Sequence, residues 1–568
     1  MRGRLLAGLF WQAMRTAPLA LGADLALALV QGALSGAGVA ALGHLVDRRD
    51  GAALLLWGAT LVLGGIAGQL RPLVTRHAQQ RVRLTLGGAF LDAATRLPYE
   101  DFLERKALMR LERAGEALQG DRTYRALGTA LNLLTEVSRV FGVAAVLVGL
   151  SPWLALPTAA AIAVQFWADA VQIRQRFALD QAGQAHARFA DYLWGLFQNP
   201  ELNAELRVFG AARWVIARWR RVREGLWLAE RRLARRALGQ DATARGTTLV
   251  AYLVALGYGV RLAASGHLAG GVGAVVALAA GVHAIQAAAE EISYQLSDAQ
   301  DHSLHLLDAT SVLARAAGRP PEPPALGAGE RIVVRDICYR YPGARREALS
   351  GVTFEWRRDR LLALVGENGS GKTTLARVLL GLLPPASGTV AGDGGRPLRP
   401  SAVFQDFGRY ALTLRENVGL GDIRRMDIRE EVEAALAAAV PRGGTLGEVA
   451  LDTVLTTGFA GGRELSGGQW QAVALGRGLF ARGDLIVLDE PTAALDPLAE
   501  REVFTRFAAL ARGRFAVIVT HRMAAAALAR DIAVLDHGRL VEWGGHEALV
   551  AAAGRYARLW EAQARWYL

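Results

Sequence analysis

Six apolar runs, each close to the length that crosses a lipid bilayer, dominate the first 330 residues of this 568-residue chain. About 20 apolar residues in a helix span the hydrocarbon core, because a helix pairs its own backbone polar groups there. The sequence therefore predicts an α-helical six-span transmembrane domain. The six runs cover approximately residues 17–43, 52–70, 129–150, 152–170, 247–264 and 267–288.

The polar segments between these runs predict the orientation of the chain. The runs form pairs joined by short turns, and two long polar stretches, 71–125 and 171–246, separate the pairs. Arginines lie beside the runs in both long stretches, for example Arg71, Arg125 and Arg174. Because positively charged flanks stay on the cytoplasmic side, both stretches and the N-terminus are predicted to be cytoplasmic. The chain is thus expected to be a multi-pass protein of the cell (inner or plasma) membrane.

The first residues resemble a secretory signal peptide, since Met1-Arg-Gly-Arg precedes an apolar run. That run is too long for a signal peptide, and Phe10, Trp11 and Gln12 ahead of Arg15 fit an amphipathic helix at the inner membrane interface. We therefore expect an interfacial helix that is not cleaved.

The net charge of +12 raises the question of a nucleic-acid partner. Residues 1–330 carry 34 Lys+Arg and 26 Asp+Glu, whereas residues 331–568 carry 31 and 27. Nucleic-acid binding requires cations on one face of a soluble domain, whereas this excess follows the helices that flank the membrane. No nucleic-acid partner is predicted. The only lysines are Lys106 and Lys372, and the single cysteine, Cys338, excludes an intrachain disulfide.

A segment rich in proline and glycine, residues 316–330, divides the chain. We assign residues 1–315 to the membrane domain, 316–330 to a linker and 331–568 to a soluble domain. In the soluble part, short apolar runs at 361–365, 484–488 and 515–519 alternate with helical stretches. That alternation predicts an α/β P-loop nucleotide-binding domain with a largely parallel sheet.

The first of these runs, Leu361–Val365, leads into a glycine-rich loop and then a helical stretch. The order strand, G-x-x-x-x-G-K-[ST], helix is that of a phosphate-binding loop, whose backbone N–H groups surround phosphate. Lys372 would reach the β- and γ-phosphates, and the Thr373 hydroxyl would bind Mg²⁺. ATP and Mg²⁺ are the predicted cofactors. The candidate binding residues are Gly366, Asn368, Gly369, Ser370, Gly371, Lys372, Thr373 and Thr374.

A second apolar run, 484–488, ends in the carboxylates Asp489 and Glu490. Asp489 suits the surroundings of a Mg²⁺ ion, and Glu490 could activate the attacking water as a general base. A strand ending in two acids can also simply cap the next helix. The position of the pair after Lys372, with a glycine-rich pentapeptide just upstream, favours the catalytic interpretation.

That pentapeptide, Leu465-Ser466-Gly467-Gly468-Gln469, resembles the signature of the ATP-binding-cassette (ABC) transporters. The order and spacing of the other motifs are also similar to that family. The resemblance implies that Tyr341 stacks on adenine and that Gln405 links the Mg²⁺ and γ-phosphate site to the membrane domain. It further implies that Asp496 lies in a loop communicating across a dimer and that His521 contacts the γ-phosphate. The signature residues that would close over the partner's ATP are Ser466, Gly467, Gly468 and Gln469.

One cassette with six spans implies, by this resemblance, a half-transporter of the type IV exporters that works as a swapped two-fold dimer. A complete catalytic set favours a homodimer, and a heterodimer stays open. ATP hydrolysis would drive alternating access and move a hydrophobic, lipid or peptide-like substrate out of the cytoplasm, with the cassette and both termini cytoplasmic. An ATP-gated channel or regulator and an importer of the same fold are the alternatives, whereas the predicted spans argue against a soluble nucleic-acid or ribosome-associated ABC ATPase.

Two departures from the family pattern lie near the signature. Ala472 stands where the family usually has arginine, and Gly476 and Gly478 enter the following helix at about 1 kcal/mol each relative to alanine. Residues 455–463 also lack the customary acid. Neither departure changes the catalytic set, so an active ATPase is expected.

Two segments of the long cytoplasmic stretches, 97–102 and 199–210, are expected to be tips that dock on cassettes. Polar residues also lie within the apolar runs, where buried ionisable groups are often functional. Glu136 and Arg139 are three residues apart and favour pairing or solvation, as does Asp169. Asp24 and Gln31 share one helix face, and the sequence leaves a structural role and a place in a cavity equally open.

Overall fold

The computed structural model describes residues 15–48, 50–119, 122–150, 152–265, 271–316, 329–394, 398–440, 446, 449–490, 504, 507 and 513–564. The chain divides into two compact units. One comprises Met1–Arg96 and Met109–Gly318, and the other comprises Leu97–Leu108 and Arg319–Leu568. The expected interfacial helix around Phe10, most of the linker and Asp496 lie outside the described residues.

Long helices make up the N-terminal region. Within the described residues, five segments are long and apolar enough to cross a membrane: Pro18–Arg48, Gly51–Arg96, Gly128–Leu150, Ala212–Ala264 and Gly271–Leu296. The sixth predicted span, approximately residues 152–170, begins a 44-residue helix, Pro152–Gly195. The helices are α1 (Pro18–Arg48), α2 (Gly51–Arg96), α3 (Tyr99–Leu103), α4 (Arg105–Gln119), α5 (Arg122–Leu150), α6 (Pro152–Gly195), α7 (Pro200–Val208), α8 (Ala212–Ala264) and α9 (Gly271–Ala316).

Glycines let α1 approach its neighbours closely. A Cβ added at Gly36 would lie 2.6 Å from the carbonyl oxygen of Gly142 on α5. A Cβ added at Gly273 on α9 would lie 2.1 Å from the Gly43 carbonyl oxygen. Small residues at such crossings supply the packing that holds helices together in an apolar solvent.

Ion pairs account for several polar residues of the helical unit. Arg71 Nε donates to Asp24 Oδ1 at 2.8 Å, and the Thr75 hydroxyl donates to the same oxygen at 3.1 Å. Arg139 pairs with Glu136 at 2.9 Å, one helical turn away. Asp24 is fully buried in this pair. Gln31, by contrast, lines a cavity of about 380 Å³.

The second unit contains two sheets. In its described part, β2, β1 and β4 form an antiparallel sheet, and a second sheet has the order β5-β6-β7-β3-β8-β9. All pairs in the second sheet are parallel except β8 with β9. The strands are β1 (Arg331–Tyr339), β2 (Leu349–Arg357), β3 (Leu361–Val365), β4 (Ser387–Gly392), β5 (Pro400–Val403), β6 (Leu485–Asp489), β7 (Phe515–Val519), β8 (Asp531–Asp536) and β9 (Arg539–Gly544).

Helices cover the parallel sheet and form a further subdomain beside it. They are α10 (Lys372–Leu379), α11 (Leu414–Gly419), α12 (Arg429–Ala439), α13 (Gly467–Phe480), α14 (Met523–Ala526), α15 (His546–Ala551) and α16 (Arg555–Ala564). Every residue of β3, β6 and β7 is buried. Leu375 packs in the cluster on one face of the sheet and Ala474 in the cluster on the other. The carboxyl ends of β3, β6 and β7 therefore meet at one edge, where ligands bind in such folds.

The structure confirms the predicted helical and α/β regions, and the three predicted strands appear as β3, β6 and β7. The antiparallel sheet was not predicted. Buried parallel strands are continuous apolar runs, whereas β1 and β2 alternate buried and exposed residues and carry several charges. In β2 the alternation of Val352, Phe354 and Trp356 with polar residues is itself the pattern of a half-buried strand, so a signal for this strand was present in the sequence.

The two expected tips differ. Helix α3 belongs to the second unit: Tyr99 packs against the cluster around Leu375, and the Tyr339 hydroxyl donates to Glu100 Oε1 at 2.9 Å. Helix α7 belongs to the first unit and buries none of its residues. Val208, at its end, and the following Phe209 are 81% and 77% exposed.

Candidate nucleotide-binding site

The loop between β3 and α10 has a backbone that only glycine can follow at two points. Gly366 has φ +147°, and an added Cβ would lie 2.2 Å from the Leu535 carbonyl oxygen. Gly371 has φ +102°, and an added Cβ would lie 2.7 Å from the Ala348 carbonyl oxygen. The loop thus curls tightly into the start of α10 at Lys372, which turns backbone N–H groups toward one concave site for an anion.

Lys372 lies across this loop. Its Nζ donates to the carbonyl oxygens of Gly366 at 2.8 Å and Glu367 at 2.9 Å. Only 6% of the residue is exposed. Burial lowers the pKa of Lys372, and the carboxylates of Asp489 and Glu490 act in the opposite direction. The ammonium group is therefore held within the loop, where an added negative charge would stabilise it.

Asp489 ends β6 beside the start of α10. Thr373 Oγ1 donates to Asp489 Oδ1 at 3.3 Å, which joins the two residues predicted to serve Mg²⁺. Asp489 is almost completely buried. Burial raises its pKa, the Thr373 hydroxyl lowers it, and the neighbouring Glu490 raises it further.

Glu490, the next residue, leaves the strand in a left-handed conformation with φ +46°. Its N–H donates to the Val519 carbonyl oxygen at 3.0 Å, and its Oε1 lies 2.8 Å from His521 Nδ1. A non-glycine residue at such an angle is strained and persists only where the surroundings hold it. The sequence predicted both residues separately, and the structure adds that they contact each other and that Glu490 is strained.

The residues present fit a phosphate group with a hard divalent cation. A hydroxyl and a carboxylate converge at Thr373 and Asp489, and oxygen ligands are what Mg²⁺ prefers. Ser370 Oγ is buried without a hydrogen-bond partner in the described structure. Among the described residues no group of three or more His, Cys, Asp or Glu could hold a metal ion by itself. Phosphate oxygens would therefore have to complete the coordination.

Tyr341 stands next to this loop. Its hydroxyl and Thr374 Oγ1 are 3.1 Å apart, and its ring meets Tyr339 edge to face at 5.1 Å between centroids. Tyr339 was missed from the sequence, although its spacing of two from Tyr341 was the available signal. Burial and the hydrogen bond to Glu100 raise the pKa of the Tyr339 phenol.

The remaining predicted residues of the phosphate site are less enclosed. Asn368 is exposed in the loop. Gln405 is exposed two residues after β5, whose carboxyl end lies beside that of β6. The predicted Asp496 cannot be placed, because it lies outside the described residues.

The signature begins a second glycine-rich helix start, at α13. Ser466 Oγ accepts from the Gln469 N–H at 3.3 Å, and Gln469 Oε1 accepts from the Ser466 N–H at 3.0 Å. This capping box closes the end of the helix on itself. Ser466 and Gly467 are exposed, and Gly468 is half-buried. Trp470 is buried beneath them and donates to Glu464 Oε1 at 2.9 Å.

The unusual residues of α13 have different surroundings. A Cβ added at Gly478 would lie 2.7 Å from Val403 Cγ2 on β5, so glycine permits a close approach there. At Gly476 the nearest atom to an added Cβ is 3.4 Å away, an ordinary contact. Ala472 is buried. Between the glycines, Arg477 donates to the Asn417 carbonyl oxygen at 2.7 Å and to its side-chain oxygen at 3.0 Å.

Comparison with known proteins agrees with this arrangement. Residues 349–493 match the family model described as ABC transporter. The chain is 36% identical to the nisin transport ATP-binding protein NisT of Lactococcus lactis subsp. lactis over 41% of this chain and 40% of that protein. It is 35% identical to the ATP-dependent lipid A-core flippase of Aromatoleum aromaticum over 41% and 40% of the two chains. The match thus spans about two fifths of the length of these relatives.

A solved structure resembles the whole chain. A bacterial Atm1-family ABC exporter with ATP bound superposes with a TM-score of 0.75 over 98% of both chains, at 22% identity. At that identity the likeness establishes the fold.

Proposed function

This chain carries an ABC transporter domain joined to a helical unit in the fold of the ABC exporters, and from that premise we propose that it is an ATP-hydrolysing export half-transporter. Residues 1–315 form the membrane domain, 316–330 the linker and 331–568 the cassette. Its substrate is a hydrophobic, lipid or peptide-like molecule. The names of the relatives, which refer to nisin, subtilin and lipid A-core, support this range.

The observation that carries the proposal is the meeting of β3 and β6 at one sheet edge. There Thr373 lies against Asp489, and Glu490 lies against His521, beside the loop that holds Lys372. A phosphate-binding loop and a paired carboxylate set at this edge are suited to phosphoryl transfer.

Each side chain has a role in hydrolysis. Lys372 and the loop N–H groups bind the β- and γ-phosphates, and Tyr341 stacks on adenine. Thr373, Asp489 and Gln405 would hold Mg²⁺, which neutralises charge on the phosphate oxygens. Glu490 accepts the proton of the water that attacks the γ-phosphorus, while the bond to the bridging oxygen breaks. His521 orients Glu490 and contacts the γ-phosphate.

A second half-transporter completes the site. The exposed start of α13 can meet an ATP held by another molecule, with Ser466 and the following N–H groups as anion ligands. The exposed apolar end of α7 is a second surface in need of a partner. A two-fold homodimer satisfies both surfaces and contains two composite sites, with Asp496 in the communicating loop.

The arginines beside the spans orient the chain. They support a location in the inner or plasma membrane with the cassette and both termini in the cytoplasm. ATP-driven closure of the cassettes would then bias the helical unit between its two access states.

The test is Glu490→Gln in the full chain, reconstituted in lipid vesicles. We expect hydrolysis to slow at least about a hundredfold, because the general base is lost, while ATP still binds and holds a closed dimer. The matched control is Glu433→Gln, since Glu433 is exposed and pairs only across α12 with Arg429 in the described structure. An unchanged rate of ATP hydrolysis in Glu490→Gln would show that Glu490 is not the general base. Absence of ATP-dependent uptake of hydrophobic, lipid and peptide-like substrates into inside-out vesicles would refute export.

A further inference from the structure

Two adjoining cavities lie between α6, α8 and α9 of the helical unit. Their volumes are about 1080 and 520 Å³. Both are lined by Gln165, Arg245 and Glu290, so the two spaces share a wall. The combined space is large enough for a ligand of several hundred daltons.

Carboxylates outnumber cations around the larger cavity. Three arginines line it, Arg176, Arg231 and Arg245. The formal charge of the lining is therefore negative. The five carboxylates are Asp169, Asp180, Glu230, Asp241 and Glu290.

Two of the arginines have partners of their own. Arg245 Nε lies 2.9 Å from Asp241 Oδ2, whereas its Nη1 is 3.9 Å from Glu290 Oε1. The guanidinium of Arg231 lies over the Trp227 ring, 5.1 Å from its centroid. Glu290 is thus only loosely paired. Because Glu290 falls within an apolar segment that could span a membrane, an incoming cation would stabilise it.

A buried hydroxyl at this cavity also lacks a partner. Ser293 lies three residues after Glu290 on α9, lines the larger cavity and is 8% exposed. Its Oγ makes no hydrogen bond within the described structure. On the facing helix α6, the Gln165 amide donates to both oxygens of Asp169, at 3.2 and 3.3 Å. The unpartnered Ser293 hydroxyl and the carboxylates of Asp169 and Glu290 therefore line the same cavity.

The rest of the lining combines polar side chains, among them Gln172, His283 and Gln286, with apolar and aromatic ones. Leu249 and Tyr252 line the smaller cavity. Leu233, Leu238 and Trp227 line the larger one. Such surfaces accept the hydrocarbon or ring portion of a ligand, and aromatic faces also attract cations.

We infer that these joined cavities bind a cationic amphiphile, whose positive group lies between Glu290 and Asp169 and whose apolar portion lies along the leucines and aromatic rings. As a substrate site, this inference rests on the proposed export function. Binding itself does not depend on that function.

The test measures equilibrium binding of radiolabelled tetraphenylphosphonium to the full chain in lipid nanodiscs, with empty nanodiscs subtracted. Tetraphenylborate, of similar size and shape but opposite charge, is the matched probe. We expect saturable binding of the cation and none of the anion. Glu290→Gln should weaken cation binding about tenfold, since a negative counter-charge of the cavity wall is lost, and Asp169→Asn should weaken it in the same direction.

The control Glu224→Gln makes the same chemical change at an exposed position of α8 that lines neither cavity, and its affinity should stay within about twofold. Equal binding of both ions, no binding of either, or full affinity in both Glu290→Gln and Asp169→Asn would overturn the inference. ATP hydrolysis, measured on the same samples, tests the proposed function separately, because loss of hydrolysis would leave the binding result intact.

Discussion

Two glycine-rich helix starts in the second unit, those of α10 and α13, are built in opposite ways. At α10 the start is buried, and the chain itself supplies the neighbours: Lys372 lies across the loop and Asp489 faces Thr373. At α13 the start is exposed and is closed only by its own capping box between Ser466 and Gln469. At the first start the chain's own side chains surround the loop, whereas the second start is exposed, and the proposed function assigns it to an ATP held by another molecule.

The difference also has an energetic side. Burial raises the pKa of Asp489 and lowers that of Lys372, so both charged groups destabilise the unliganded fold. The capping box of α13 stabilises its helix, by about 1 kcal/mol as is usual for such caps. The buried charges at the start of α10 thus destabilise the fold at the candidate site. The left-handed backbone of Glu490 is a second source of strain there.

The largest expected effect follows from removing the cation of the buried start. Lys372→Ala should reduce ATP hydrolysis by about a hundredfold or more, because a preorganised charge at the phosphates is lost. Lys106, the other lysine of the chain, is exposed at the start of α4, and Lys106→Ala is the control in the same ATPase assay. Equal ATPase activity of the two variants would contradict the role of Lys372 in binding the phosphates.

The exposed start can be tested by mixing two inactive chains. Ser466→Arg should abolish hydrolysis while ATP still binds to the α10 loop. Co-expression of Ser466→Arg with Lys372→Ala should restore roughly a quarter of the wild-type rate, because half of randomly assembled dimers are mixed and each has one intact composite site. Activity no higher than in either parent would show that the two helix starts do not meet across a dimer.

A matched pair of glycine substitutions examines how α13 is positioned. Gly478→Ala should lower the free energy of unfolding by about 2 kcal/mol, because the new Cβ meets Val403. Gly476→Ala has ordinary space and should raise it by up to about 1 kcal/mol through helix propensity. Thermal midpoints of the purified full chain compare the two, and equal shifts would refute the close approach to β5.

The smallest effect concerns stability at the buried start. A raised pKa means that protonation of Asp489 favours the folded state, fully below its unfolded-state pKa, and that this contribution is lost as the pH rises through the folded pKa. Asp489→Asn should therefore stabilise the nucleotide-free chain at pH 7 by about 1 kcal/mol, the usual scale for such functional sites. The same variant should lose Mg²⁺-dependent hydrolysis. The thermal midpoint of the Asp489→Asn chain should exceed that of wild type at pH 7 and approach it in acid. A lower midpoint at pH 7 would contradict the inference that burial of the ionised Asp489 destabilises the fold.

The buried elements were the most predictable from sequence. The strands β3, β6 and β7 are continuous apolar runs, and the loop after β3 has a spacing that few other structures use. By contrast, the contact of Tyr339 with Glu100 joins residues 239 positions apart in the chain. No local pattern reports such a contact, and the same is true of the hydrogen bonds from Arg477 to Asn417.

By itself the sequence determined the long apolar helices and the α/β domain and predicted candidate residues for a phosphate site, because hydrophobic periodicity and motif spacing are local properties of the chain. Tertiary structure decided which residues meet. It paired Asp24 with Arg71, left Glu290 loosely paired at a cavity and brought Glu490 against His521 in a strained conformation. Pairing, burial and backbone strain depend on groups that are distant in sequence, so only the packed fold sets them.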